Sequence, residues 1–135
     1  MATIKSFEDI ESWKKAREVC KVLGKLIDEG KFKNSYRLIN QIEGSSGSIM
    51  DNIAEGFERG TRAEFITFLG YSKGSCGELR SQLYRSFDRS FITKEEFENL
   101  KALVIQISGL IQNFIGYLQN SEVAGVRKKV TIKQP

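Results

Sequence analysis

A chain of 135 residues holds one domain's worth of sequence, enough to bury a single core without disulfides or metals. Its 40% hydrophobic and 28% charged content is that of a globular protein, and no apolar run reaches the roughly 18–20 residues of a membrane span. Of the net charge of +4, residues 121–135 carry +3 (Arg127, Lys128, Lys129 and Lys133 against Glu122), leaving +1 for residues 1–120.

Pro135 is the only proline, so nothing breaks a long helix from within. Met1-Ala2-Thr3-Ile4-Lys5 lacks the apolar stretch of a signal peptide, and a cytoplasmic location is expected. Ser6 and Asp9 form a capping box that is expected to open the first helix. Ile10, Trp13, Ala16, Cys20, Leu23 and Ile27 then recur at helical spacing, with Val19, Val22 and Leu26 as a second apolar flank. Gly30 suits the left-handed position that ends a helix.

After Lys31-Phe32-Lys33-Asn34, with Asn34 or Ser35 as cap, a second helix places Leu38, Ile42, Ser45, Ile49 and Ile53 on one face. At about 100° per residue, Gln41, Ser48, Asn52 and Glu55 line one edge of that face. Gly56 is expected to close this helix or loosen its last turn. Gly44 and Gly47, inside it, cost up to about 1 kcal/mol each relative to alanine, and close helix approach is the simplest compensation.

Thr61-Arg62-Ala63-Glu64 is a capping box opening helix three, whose stripe runs Phe65, Phe68, Leu69, Ser72, Cys76, Leu79, Leu83 and Phe87. Tyr71, Ser75, Glu78 and Gln82 follow one edge of it. Gly70, Gly74, Gly77 and Ser81 lie away from the core; they are either tolerated surface positions or a groove for another subunit's helix. Both cysteines fall on apolar faces, where a buried free pair is expected.

Thr93-Lys94-Glu95-Glu96 opens helix four, with Phe97, Leu100, Val104, Ile107, Ile111, Phe114 and Leu118 in three-four alternation. Leu103, Leu110 and Tyr117 widen this arc to roughly 160°, enough to touch two neighbours. Ile105 stands alone on the polar side as a candidate intersubunit contact. Beyond Asn120 the pattern stops. The expectation is an all-α, antiparallel up-down-up-down four-helix bundle over residues 1–120, with 121–135 a flexible basic tail that either solubilises or touches RNA or an acidic partner.

In that topology helices two and three run antiparallel, so Gln41, Ser48, Asn52 and Glu55 can face Tyr71, Ser75, Glu78 and Gln82 as a polar seam that fixes register. Catalysis has little to work with. The chain has no histidine, which removes the commonest general base and zinc ligand. Glu-x-x-His pairs are absent, and a Glu55/Glu78 acid–base pair is far less expected than a structural role. No enzymatic function, cofactor or metal is expected.

Phe7-Glu8-Asp9-Ile10-Glu11-Ser12-Trp13-Lys14-Lys15-Ala16 resembles the opening of the four-helix bundle proteins encoded in 23S rRNA intervening sequences. So do Ser48-Ile49, Asn52-Ile53-Ala54-Glu55-Gly56, Glu64-Phe65-Ile66, Phe68-Leu69, Gly74-Ser75, Glu78-Leu79, Gln82-Leu83 and Glu95-Glu96, in order across residues 6–118. More distantly, the chain is similar to the accessory variability determinant of diversity-generating retroelements. The resemblance implies a homopentamer with no known enzymatic activity, and its genetic setting points to RNA or a nucleic-acid-processing protein as partner. Arg37, Arg59, Arg62, Lys73, Arg80, Arg127, Lys128 and Lys129 are the candidate nucleic-acid contacts, and Gly70, Gly74, Gly77 and Ile105 the candidate subunit interface. Two departures stand out: Glu43-Gly44 where relatives often carry basic residues, and Met50 where many carry proline.

Overall fold

Thr93 and Thr61 begin the two longest helices in the same way, each accepting a hydrogen bond from the backbone N–H three residues on. In the computed structural model, which describes residues 3–120 and 132–135, four helices follow one another: α1 (Glu11–Asp28), α2 (Tyr36–Glu58), α3 (Arg62–Asp88) and α4 (Lys94–Gln119). Each packs on its chain neighbour and α1 closes on α4, giving the expected all-α four-helix bundle. Gly30 and Gly60 take positive φ, 77° and 88°, in the α1–α2 and α2–α3 turns, where a side chain would be strained.

The core is one continuous cluster. Ile42, Ile49, Ile53, Phe65, Leu69, Leu79, Leu83, Ile107 and Ile111 are each fully buried and each contribute about 1.5–3 kcal/mol of transfer free energy. Phe65 meets Phe114 edge-on at 5.2 Å, tying α3 to α4. Phe32 and Phe91, from the two connections at one end, close the core there with ring centroids 5.8 Å apart.

Five expectations change. The Ser6/Asp9 capping box forms, but it opens a single 3-10 turn, Phe7–Asp9; Ile10 is then extended and α1 begins at Glu11. The buried face of α1 is Ser12, Ala16, Val19, Leu23 and Leu26, with Trp13, Cys20 and Ile27 only half-buried. The helix has rotated onto its second flank because it serves two neighbours, α2 and α4. Gly56 lies inside α2, fully packed, rather than ending it. Gly44 and Gly47 have open space where a Cβ would be, so no close approach within this chain compensates for them.

The fifth change concerns the tail. Residues 121–131, with Arg127, Lys128 and Lys129, lie outside the described residues. Ile132–Lys133 forms a strand, β2, paired antiparallel with β1 (Thr3–Ile4). Ile4 and Ile132 are both buried there. Gln134 continues the clasp: its Oε1 accepts from the Glu11 N–H at 2.9 Å and its Nε2 donates to the Asp9 carbonyl at 3.1 Å. Ile10, the residue before α1, has no side chain able to cap, and Gln134 supplies that cap from the far end of the sequence.

Candidate functional site

Ser48 and Ser75 meet across α2 and α3, the Ser75 hydroxyl donating to Ser48 Oγ at 3.0 Å. Asn52 Nδ2 donates to the same Oγ and to the Ser48 carbonyl, both at 2.8 Å, so Asn52 serves its own helix. One turn away, Ser45 Oγ lies 3.2 Å from Glu78 Oε1 and 2.9 Å from the Gln41 carbonyl, so its proton is shared between two acceptors. Arg85 Nη2 donates to Gln41 Oε1 at 2.7 Å. Inside the seam, the buried Ser72 hydroxyl donates 2.7 Å to the Ile49 carbonyl. Hydroxyl hydrogen bonds run along one antiparallel register, with little room between the backbones.

Gly56 shows how close the helices come. A Cβ built on it would stand 2.7 Å from Phe68 Cβ and 3.1 Å from Phe65 Cδ1. Only glycine fits between α2 and α3 there.

Three members of the expected seam behave differently. Tyr71 is 57% exposed and packs edge-on against Phe68, outside the hydroxyl row. Glu55 turns to Arg59 at 3.5 Å, and Glu78 bonds Ser45, ten residues from Glu55 along α2. That spacing separates the two carboxylates by about 15 Å along the helix, so they make no acid–base pair. Gln82 is buried with its Oε1 lacking a partner among the described residues, a cost of about 1–3 kcal/mol. Ser45, Ser72 and Arg85 join the seam without having been singled out for it. The two serines were visible as polar breaks in apolar stripes, whereas nothing in the spacing marked Arg85.

The cation candidates divide. Arg59 lies between Glu55 and Glu64, at 3.5 and 3.6 Å, and over the Phe68 ring at 5.0 Å. Arg62 Nη1 donates to the Leu118 carbonyl at 3.3 Å, capping the end of α4. Arg37 and Arg80 are exposed and Lys73 is half-buried. Gly70, Gly74 and Gly77 are open to their surroundings, and Ile105 is 46% exposed on the adjoining helix.

Both cysteines are free thiols. Burial pushes the Cys76 thiol up to about 12, with Lys73 and Arg80 opposing weakly. Burial also raises Cys20, offset in part by a hydrogen bond with Ser46. Among the described residues no cluster of three or more histidine, cysteine or acidic side chains could hold a metal ion. No helix there is long and apolar enough to cross a membrane.

Residues 8–113 match the family model described as 23S rRNA-intervening sequence protein. The chain belongs to this family. Among solved structures, this intervening-sequence protein is similar to a protein with unknown function from the S23 ribosomal protein family of Bacteroides thetaiotaomicron VPI-5482. Identity is 23% and the TM-score 0.70, over 77% of this chain and 97% of that one. At that identity the likeness concerns the bundle fold. Among curated proteins, no relative matches.

Proposed function

We propose that this intervening-sequence protein is a non-enzymatic cytoplasmic scaffold that assembles as a homopentamer and presents its outer surface to RNA or a nucleic-acid-processing partner. The observation that carries this is the outer face of α3 and α4: three glycines with open space above them beside an exposed isoleucine, on a bundle whose interior is already closed. Such a face suits close approach by another backbone. Arg37 is exposed at the start of α2, and the sequence adds Arg127, Lys128 and Lys129. Repetition around a ring turns these few cations into a continuous positive field. A gel shift with structured RNA across a salt series tests the nucleic-acid part. Binding at about 50 mM salt that falls steeply with added salt is expected, and no shift at about 50 mM refutes it.

A second reading, a scaffold for protein alone, is favoured by Arg59 and Arg62. Carboxylates and a helix-end carbonyl already engage these two cations, which leaves fewer for phosphates. A pull-down that yields one abundant protein and no RNase-sensitive material would select it.

A further inference from the structure

Two neighbouring faces of the bundle share α4 and carry opposite features. On the α1 side, a groove of about 670 Å³ runs between α1 and α4, with Val22, Leu26, Leu100 and Leu103 among its lining. Val22 is still 40% exposed. Glu18, Glu29 and Glu96 rim the groove against the single cation Lys25, a balance of −2.

On the α3 side, Tyr84 and Ile105 each stand 46% exposed. On the same two helices, Gly77, Arg80 and Ser108 surround a shallow hollow of about 90 Å³, and no atom lies within 4 Å of a Cβ added at Gly77. Lys101 lies 5.6 Å from the Tyr84 ring centre. Lys73, Arg80 and Lys101 against Glu98, which pairs with Lys101 at 3.8 Å, give this face a balance of +2.

We infer that the α3–α4 face of one copy seats in the α1–α4 groove of a second. Ile105 and Tyr84 enter the hydrocarbon floor, and Arg80 and Lys101 meet the glutamate rim. This rests on the oligomeric reading above and assigns its interface. It also places Ile105 and Gly77 at a contact between copies and reserves Arg37 for other partners.

The geometry of the two faces also says how the contact repeats. Because the patches differ, the contact is head-to-tail, and such contacts either close a ring or climb into a filament. The groove spans α4 residues 96–106 and the opposing face uses 101–108 of the same helix. An offset of a few residues is an axial step of about 5 Å, small against the length of α4, so successive copies turn more than they climb. Where tilt between copies absorbs that step the contact closes a ring, and where it does not the contact builds a filament.

Light scattering on the full chain and on Val22→Glu and Ile105→Glu, separately and mixed, tests the pairing. Each variant spoils one face and leaves the other intact. The expected result is an assembly of more than two copies for the unaltered chain, at least tenfold weaker association for each variant, and one-to-one dimers on mixing, since a single good groove and a single good ridge remain. Circular dichroism reports folding; if either misfolds, Glu18→Lys and Arg80→Glu replace the pair, each weakening assembly alone and restoring it on mixing, because the introduced lysine then meets the introduced glutamate. Variants that assemble like the unaltered chain, or a mixture that stays monomeric, overturn the assigned faces while leaving the oligomeric reading standing. An unaltered chain that is monomeric at all concentrations overturns both.

Discussion

α2 and α3 approach until Gly56 lies beneath Phe68, whereas α1 and α4 stand far enough apart to leave an open groove beside Val22. The first contact carries a row of hydroxyl bonds beside its apolar core, Ser75 on Ser48, Ser72 on the Ile49 carbonyl and Ser45 on Glu78, with Gln82 Oε1 lacking a partner among the described residues. The second is hydrocarbon with carboxylates along its edges. Small residues let the backbones close, as at Gly56, so the α2–α3 contact leaves no groove between the two helices there. Branched and long side chains on α1 and α4 hold the helices apart, and apolar area remains for something else to cover. Small residues therefore mark the closed contact here, and the apolar gap is where the proposed second copy would seat.

The strongest way to break the contrast is Gly56→Leu. Added atoms meet Phe68 Cβ and Phe65 with no room to move, and a loss of about 3 kcal/mol in chemical denaturation is expected. On the open side, Val22→Ser should change monomer stability by less than about 0.5 kcal/mol, because the side chain is already 40% wet. Were the two variants equally destabilised, the distinction between a closed and an open contact would be lost.

Ser72→Ala removes a buried hydroxyl that reaches across to α2, and should cost about 1 kcal/mol. Asn52→Leu should cost less, since both of its hydrogen bonds go to Ser48 on its own helix. The order of these two in a denaturant series separates bonds that hold α2 to α3 from those that only decorate α2.

Gln134→Ala deletes the cap on α1 and should lower stability by about 0.5–1 kcal/mol, with faster amide exchange at Glu11. The smallest effect is expected from acid. The backbone N–H groups of Lys5 and Ser6 hold the Asp9 carboxyl below its ordinary value of 3.8. A depressed carboxylate contributes above its unfolded value and loses that contribution as pH falls through the folded one. The Lys5 and Ser6 amide signals should therefore shift below about pH 4, while those of α2 and α3 stay in place.

Much of this was legible in order along the chain. Thr61/Glu64 and Thr93/Glu96 announce where α3 and α4 begin, because a cap is a local bond between residues three apart. Apolar spacing located the buried faces of α2, α3 and α4 for the same reason: periodicity is a property of one helix. The sequence also carried the family resemblance, since its motifs are short and ordered. For α1, two stripes were visible, and only the positions of α2 and α4 decided that Val19 and Leu26 go inside while Val22 stays half out.

Contacts between distant residues were not legible. Gln134 capping Glu11, and Ile132 pairing with Ile4 where a flexible arm was expected, join the two ends of the chain through single residues with no repeating pattern to betray them. Gly44, Gly47 and Gly56 look alike in the sequence, yet one Cβ would strike Phe68 and two would meet nothing. Local bonding and periodicity set the four helices and their buried faces. Which glycine is indispensable, which serines cross between helices and where a groove stays open depend on the distance between helices, a quantity that exists only once they are packed.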